Sequence, residues 1–385
     1  MEKKIKVLHV ITSLGDGGAE ALLYRICTSP IGNRFSHSVI CLKSGGKYVD
    51  LLKKNNIPVF CLRMSFFNLP IKFLRLVKLI RVISPQVVQT WLYHADLFGG
   101  LAAKLAGVKD IIWGIHNTNL DWRRSSFSSL LVLRTLIPLS YLVPSKIVCC
   151  AHAAKLIHIK MGYCEKKMIT ILNGYDTSFF CPDLRKRQAY RTDLQLNKST
   201  FLVGMVARLD PQKDHLTFLK SIQRVTKNIL NLKCLLVGKN VPNLDFEIAE
   251  LNLTSSVILR DSCSDLRGVY NSMDVFVLSS SYGEAFPNVI AEAMSCGVPC
   301  IATDLGDVSL LIGDCGIIVP PNEVGQLADS IEEMYYRSHT KEWNILKSAV
   351  RKRIIENFGE AKMLESYFRL WTGCKISKYP SFKFK

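Results

Sequence analysis

Two glutamates, Glu284 and Glu292, stand eight positions apart in a stretch whose apolar residues recur at helical spacing. Eight positions are close to two turns of an α-helix, so both carboxylates can face one ligand. The Phe286-Pro287 pair predicts the helix start, with Glu284 at its mouth and Glu292 about two turns inside. Such carboxylates can accept hydrogen bonds from sugar hydroxyls. The alternative is that Glu292 is a polar residue on a solvated helix face.

The same helix start has the features of an anion site. The first N–H groups of a helix have no partner within it, and the helix dipole favours negative charge there. The segment concerned is Ala285, Phe286, Pro287 and Asn288. We predict that phosphate groups of a ligand lie against it.

Two cations, Arg208 and Lys213, follow the apolar run 201–207. Placed in a loop between a strand and a helix, a guanidinium and an ammonium can hold a diphosphate between them. Taken singly, each residue is equally compatible with an ordinary surface position.

Two further features follow apolar runs in the first half of the chain. Gly17 and Gly18 lie in a glycine-rich turn after the run 5–11, where backbone N–H groups can approach an anion closely. The spacing is not that of the dinucleotide-binding fingerprint. His116 follows the run 110–115, at a strand end where a catalytic histidine and a structural one are about equally expected.

The fold class is predicted to be α/β, because short apolar runs alternate with helix-like stretches along the whole chain. Two doubly wound Rossmann-like domains are expected to face each other across a cleft, with ligands at the carboxyl ends of their parallel strands. The predicted strands are 5–11, 37–42, 57–62, 86–91, 110–115 and 146–150, then 201–207, 232–237, 256–259, 274–279, 298–302 and 316–319.

The domain boundaries follow from composition. Residues 1–181 and 199–360 each contain one set of runs, and the polar stretch 182–198 is predicted to connect them. An amphipathic segment at 361–373 precedes a basic tail at 374–385.

The net charge of +18 is concentrated in the first half. Residues 1–180 contain 24 Lys and Arg against 9 Asp and Glu, whereas residues 181–385 contain 26 against 23. This asymmetry favours an anionic partner, and no nucleic-acid motif accompanies it. In the segment 70–81, Lys72, Arg75 and Lys78 recur among apolar residues, as in a helix that lies on an anionic membrane surface. A packed helix with one solvated cationic face is the alternative.

Location is inferred from the cysteines and from the apolar segments. The thirteen cysteines include no C-x-x-C pair and lie mostly in apolar runs, which is typical of a reducing compartment. The segment 127–143 is predicted to be interfacial or buried, because it is short and carries Arg134 and Pro138. We expect a cytoplasmic protein, peripheral on the inner face of the cell membrane.

Arg208, Lys213 and the E-x7-E pair, with N-G-Y-D-T-S-F-F at 173–180, resemble the retaining glycosyltransferases of family four, which have the GT-B fold. The resemblance extends over almost the whole chain. It implies that the first domain binds the acceptor, that the second binds the nucleotide-sugar, and that the segment 361–373 crosses back to the first domain.

The resemblance also implies roles for single residues. Arg208 and Lys213 would bind the donor diphosphate, Glu284 the transferred sugar and Glu292 the ribose hydroxyls. His116 would meet the donor sugar, Gly17 and Gly18 would lie near the phosphate and sugar, and Gly238 would border the base. Glu284, His116, Arg208 and Lys213 are therefore the predicted catalytic group.

The expected reaction is transfer of a sugar, from a UDP-sugar by preference, to a lipid-linked or polysaccharide acceptor in surface-glycan assembly. No metal-binding signature is recognised near a strand end, so metal-independent chemistry and no cofactor are expected. The alternatives are a silent nucleotide-sugar-binding or membrane-scaffold protein and a GT-B sugar-nucleotide epimerase.

Overall fold

The structure is a computed structural model that describes residues 4–15, 17–30, 32–116 and 127–373. Its contacts divide the chain into two compact units. The first unit consists of residues 1–173 and 361–385, and the second consists of residues 174–360.

In the first unit, the described residues form one parallel seven-stranded sheet in the order β3-β2-β1-β4-β5-β6-β7. The strands are β1 (Ile5–Ile11), β2 (Phe35–Cys41), β3 (Val59–Cys61), β4 (Val87–Trp91), β5 (Asp110–Ile115), β6 (Lys146–Cys149) and β7 (Met168–Thr170). The interior strands are almost entirely buried, as in a parallel sheet that helices cover on both faces. The apolar runs predicted six of these strands and missed β7, whose M-I-T sequence has only two apolar residues in a row.

Helices connect these strands. They are α1 (Gly18–Thr28), α2 (Lys47–Lys54), α3 (Leu69–Ile83), α4 (Tyr93–Leu105), α5 (Phe127–Leu142) and α6 (His152–Lys160). The helix α3 contains the basic segment 70–81 and has a proline in its first turn, where the missing N–H costs nothing. Among the described helices, none is both long and apolar enough to cross a membrane.

The second unit has a six-stranded parallel sheet in the order β10-β9-β8-β11-β12-β13. Its strands are β8 (Phe201–Val206), β9 (Leu232–Val237), β10 (Val257–Arg260), β11 (Val275–Leu278), β12 (Cys300–Thr303) and β13 (Ile317–Val319). Its helices are α7 (Leu184–Asp193), α8 (His215–Val225), α9 (Asp245–Glu250), α10 (Arg267–Ser272), α11 (Asn288–Ser295), α12 (Val308–Ile312), α13 (Val324–Ser338) and α14 (Trp343–Phe358). All six strands lie where the apolar runs predict them, and the α/β class with two Rossmann-like sheets is confirmed.

The segment 182–198 differs from the predicted connector. It contains α7, whose Arg187 and Arg191 bind the two carboxylate oxygens of Asp274 at 2.6 and 3.3 Å. Both guanidinium groups also donate to the backbone carbonyl of Ser272. The segment is therefore an integral helix of the second unit, and its polar composition reflects these ion pairs.

The last described helix, α15 (Glu360–Trp371), belongs mainly to the first unit. Its residues Met363, Leu364, Tyr367 and Trp371 are part of the apolar core formed with β1, β2 and α1. The basic tail 374–385 lies outside the described residues.

Candidate active site

The loops that follow β8 and β11 are joined by direct hydrogen bonds in the second unit. The hydroxyl of Ser279 donates to the carbonyls of Lys213 and Asp214, both at 3.0 Å. The N–H of Ser281 donates to the carbonyl of Gln212 at 2.8 Å. Because β8 and β11 are neighbours in the sheet, these bonds fix the two loops at one carboxyl edge.

The side chains of Lys213 and Glu284 meet at this edge. Nζ of Lys213 forms an ion pair with Oε1 of Glu284, and the hydroxyl of Ser280 donates to the same oxygen at 2.6 Å. The side chains of Lys213 and Glu284 are only 14% and 8% exposed. A buried charge is costly unless it is paired, so the two groups hold each other in place.

Two aspartates shape the turn that carries Lys213. Oδ1 of Asp210 accepts from the N–H of Gln212 at 2.9 Å, which begins a short 3-10 turn. Asp214 adopts a left-handed conformation and caps α8 by accepting from the N–H of Thr217 at 3.1 Å. The D-P-Q-K-D sequence therefore produces a rigid turn from side-chain caps at both ends.

Arg208 and Lys213, the two cations predicted to hold a diphosphate, have different partners. Arg208 pairs with Asp210 at 3.2 Å, and its side chain is 58% exposed. Lys213, by contrast, is buried against Glu284. Binding of one diphosphate by both Arg208 and Lys213 remains a prediction.

Glu292 lies in α11, where it accepts a hydrogen bond at 2.7 Å from the hydroxyl of Tyr270. Burial, and after it the Glu292 carboxylate, raises the pKa of Tyr270 well above its usual value. The Tyr270 phenol therefore stays protonated and acts as the hydrogen-bond donor to the Glu292 carboxylate.

The predicted positions of Glu284 and Glu292 relative to the helix start were wrong. The helix α11 begins only at Asn288, so Glu292 is just over one turn inside it and Glu284 belongs to the preceding loop. The physical reason is that Pro287 occupies the N-cap position in extended backbone, which delays the first helical turn.

The segment that leads into α11 is held by packing and by hydrogen bonds. The ring of Phe286 is buried and stacks on Tyr175 at 6.3 Å. Oδ1 of Asn288 accepts from the hydroxyl of Tyr175 at 2.9 Å, and the carbonyl of Ala285 accepts from the N–H of Asp307. Phosphate binding by the backbone of Ala285, Phe286 and Asn288 at this helix start remains a prediction.

Gly238, the residue after β9, allows a close backbone crossing. A Cβ atom there would lie 2.0 Å from the carbonyl oxygen of Ala207, and the φ angle of +159° also favours glycine. The loops after β8 and β9 are further joined by the bond from Leu209 N–H to the carbonyl of Lys239. Any side chain at position 238 would therefore push apart the loops that carry Arg208 and Lys239.

The remaining predicted residues lie in the first unit, along the carboxyl edge of its sheet. Gly17 caps α1, and Gly18 is its first residue. The carboxylate of Glu20 packs against Gly17 and accepts from the hydroxyl of Ser13 at 3.0 Å. His116 follows β5, and its ring stacks on Trp91 with 5.0 Å between the ring centroids.

Buried histidines, among them His37, His116 and His215, make stability depend on pH. Burial lowers the pKa of His37, His116 and His215 to about 4. The unfolded chain, with a pKa near 6.5, takes up protons first, so stability is lost as the pH falls from about 6.5 towards 4. Each histidine contributes up to about 1.4 kcal/mol per pH unit.

We therefore expect the apparent melting temperature to fall between pH 7 and pH 5. His215→Phe should flatten this dependence, whereas His339→Gln, at an exposed position, should leave it unchanged. Scanning calorimetry across this range measures it, and equal melting temperatures at pH 7 and pH 5 would contradict the account.

Two neutral groups that hold the glutamates, Ser280 and Tyr270, were not predictable from the sequence. Ser280 and Tyr270 lie 4 and 22 positions before the carboxylates they contact. Ser280 belongs to an undistinguished run of three serines, and nothing in the spacing of Tyr270 connects it with Glu292. Only the fold brings these pairs together.

Comparison with known proteins agrees with this architecture. The model of "Glycosyltransferase Family 4" matches residues 16–179, and the model of "Glycosyl transferases group 1" matches residues 200–337. Together they cover more than half of the chain. The chain belongs to the family-four glycosyltransferases and has the GT-B fold class; it is an enzyme of the hexosyltransferase type.

Individual relatives are similar along most of their length. The UDP-Gal:alpha-D-GlcNAc-diphosphoundecaprenol alpha-1,3-galactosyltransferase of Escherichia coli is 25% identical over 97% of this chain and 98% of its own. The putative glycosyltransferase EpsF of Bacillus subtilis is 25% identical over 78% of this chain and 79% of its own. Among solved structures, Anabaena Alr3699/HepE in complex with UDP has a TM-score of 0.85 at 22% identity, covering 96% of this chain and 100% of that one.

Proposed function

We propose that the protein is a retaining, metal-independent glycosyltransferase that moves a sugar from a UDP-sugar to a lipid-linked or glycan acceptor in surface-glycan biosynthesis. The observation that carries the proposal is the buried pair of Lys213 and Glu284 at the carboxyl edge of the second sheet. In the family fold, this edge is where the nucleotide-sugar is expected.

The chemistry follows from the charges. Breaking the bond between the anomeric carbon and the phosphate oxygen leaves negative charge on the diphosphate and positive charge on the sugar ring. Lys213 is held by Glu284 and by a rigid turn, so its ammonium is positioned before the reaction and stabilises the leaving diphosphate. Glu284 would contact the transferred sugar.

Retention of configuration requires that the new bond form on the face from which the diphosphate leaves. The acceptor hydroxyl oxygen attacks the anomeric carbon on that face, and its proton passes to the departing phosphate oxygen. This route needs no carboxylate nucleophile. Glu284, the carboxylate that would contact the sugar, already carries an ion pair and a hydrogen bond on Oε1.

The relatives support the substrate class. The full-length relative from E. coli is named for a UDP-galactose donor and a diphosphoundecaprenol acceptor. The basic first unit suits an acceptor that carries a diphosphate, because its cations can offset that charge.

A panel of UDP-, GDP- and ADP-sugars, each with and without EDTA, tests the proposal. We expect a UDP-sugar to raise the melting temperature and to be hydrolysed slowly, with no effect of EDTA, because binding only to the folded state stabilises it. A response that EDTA removes would contradict metal independence. A response to no donor would favour a silent protein, and epimerised UDP-sugar without transfer would favour an epimerase.

Membrane association is also part of the proposal. The helix α3 and the turn before it expose apolar side chains of Phe67, Ile71 and Leu74. Arg75 and Lys78 are exposed on the same helix. A surface that mixes exposed apolar groups with cations suits the interface of an anionic bilayer.

The triple variant Lys72→Glu, Arg75→Glu, Lys78→Glu is expected to bind anionic vesicles at least about 100-fold more weakly, since each cation near such a surface contributes about 1 kcal/mol. Flotation with phosphatidylglycerol vesicles at increasing salt measures this. The control, Lys198→Glu, Lys227→Glu, Lys341→Glu, changes the net charge equally at exposed positions of the second unit. An equal loss of vesicle binding in both triple variants would show that only the net charge of the protein matters.

A further inference from the structure

Trp91 and His116 form a stacked pair in the first unit. Trp91 is the last residue of β4, and His116 directly follows the neighbouring strand β5. Their ring planes are 17° apart, and Trp91 is fully buried. The buried Trp91 indole therefore provides a fixed surface on which the His116 imidazole stacks.

The orientation of Trp91 is set by a chain of hydrogen bonds through two buried histidines. Nε1 of Trp91 donates to Nδ1 of His9 at 3.2 Å. An indole N–H can only donate, so the proton of a neutral His9 lies on Nε2. That proton is directed to Nδ1 of His37 at 3.0 Å, and Nε2 of His37 then donates to the carbonyl of Gly32 at 3.1 Å.

Both histidines remain neutral, as this chain requires. Burial, and after it the neighbouring His37, lowers the pKa of His9 well below its usual value. Burial also lowers the pKa of His37 to about 4. At neutral pH the donors and acceptors are therefore fixed in one direction, from Trp91 towards Gly32.

The helix α15 packs against the same three residues, His9, His37 and Trp91. Trp371 packs edge-on against His9 and His37 at 5.6 and 5.7 Å, and Tyr367 stacks on Trp91 at 6.0 Å. Trp91 is therefore held by a hydrogen bond at its nitrogen and by stacking with the ring of Tyr367.

A metal site is the competing interpretation, because ligand atoms of His9, Cys27 and His37 lie within 4.8 Å of one another. The proton placement argues against it. Nε2 of His9, the atom that faces His37, carries a proton and has no lone pair for a metal. Burial also raises the pKa of Cys27, which keeps its thiol protonated.

We propose that Trp91 is a positioning residue for His116, and that the chain through His9 and His37 fixes the Trp91 ring for this purpose. The inference rests on the role of His116 in the proposed transfer reaction. Among the described residues, Nε2 of His116 has no hydrogen-bond partner, and the stacking on Trp91 orients the ring plane.

The test compares three variants of Trp91 and its partner in the full-length protein. Trp91→Leu removes the stacking and the hydrogen bond, Trp91→Phe keeps a ring to stack on, and His9→Phe removes the acceptor of Trp91. Histidine-selective NMR, assigned with His116→Gln, follows the His116 ring during a pH titration. We expect its pKa to rise from about 4 towards 6.5 in Trp91→Leu, with smaller rises in the other two variants.

Trp113→Phe is the matched control, because Trp113 is a fully buried tryptophan of β5 in the same sheet. It should lose stability comparably but leave the His116 titration unchanged. An unchanged titration in Trp91→Leu, or an equal shift in Trp113→Phe, would overturn the proposal. Stoichiometric zinc in the purified protein that is lost in His9→Phe would also overturn it.

Measuring the turnover of the same variants distinguishes a failure of this inference from a failure of the proposed function. If the positioning is correct, Trp91→Leu lowers kcat at least tenfold with little change in KM for the donor, and Trp91→Phe recovers part of the loss. If His116→Gln leaves turnover unchanged while Trp91→Leu still shifts the His116 titration, the stacking is upheld and the role of His116 in transfer fails.

Discussion

Lys213→Ala is expected to lower the turnover of sugar transfer by about 10²–10³-fold, the usual loss when one preorganised donor to a developing charge is removed. Lys213 is a buried cation at the carboxyl edge of the second sheet, and Glu284 and the turn after β8 hold it in place. Steady-state rates with a UDP-sugar and a lipid-diphosphate acceptor measure the effect. The loss should appear in kcat more than in KM, because the charge develops in the transition state.

Lys213→Ala also lowers the stability of the fold, and this effect must be distinguished from the loss of turnover. Removing Lys213 leaves the Glu284 carboxylate buried without its cation, which costs about 3–5 kcal/mol for a buried pair. The double variant Lys213→Met, Glu284→Gln removes both charges and should recover most of the stability but none of the turnover. Recovery of turnover together with stability would mean that the pair is structural.

Gly238→Ala is the second substitution with a large expected effect. Its methyl group would meet the carbonyl oxygen of Ala207 at 2.0 Å, so the crossing of the loops after β8 and β9 must open. We expect a loss of about 1–3 kcal/mol of stability, as for other overpacked sites. KM for the donor should rise at least tenfold, because Arg208 and Lys239 move with these loops.

Gly325→Ala provides the control for this substitution. Gly325 lies in the first turn of α13, and its nearest neighbour is the flexible end of Arg224 at 3.3 Å. Alanine should be neutral or stabilising there, since it is the better helix former. Unchanged donor binding in Gly238→Ala would show that the crossing is not part of the donor site.

The sequence predicted the sheets well because buried parallel strands appear as continuous apolar runs. All six strands of the second unit and six of the first were located in this way. The prediction failed where a local rule was overridden by a longer-range contact. The polar segment 182–198 appeared to be a connector, and only the pairing of Arg187 and Arg191 with Asp274 shows why it is a packed helix.

The candidate site was predictable to the extent that its residues follow strands. The sequence located Lys213 and His116 after strands, which is where the structure has them. It placed Glu284 at a helix start and Glu292 two turns inside, whereas Glu284 lies in the loop before α11 and Glu292 just over one turn inside it. It could not show that Lys213 pairs with Glu284 across 71 positions, or that Arg208 turns to Asp210 instead. These partners depend on loop conformation, which hydrophobic periodicity does not determine.

The anomeric configuration of the first product tests the central claim most directly. The protein would be incubated in EDTA with an α-configured UDP-sugar and a lipid-diphosphate sugar acceptor, and the configuration of the new linkage would be determined from its anomeric signal by proton NMR. We expect an α-linked product that forms at the same rate without metal. A β-linked product, or transfer that occurs only when a divalent cation is restored, would contradict the central claim.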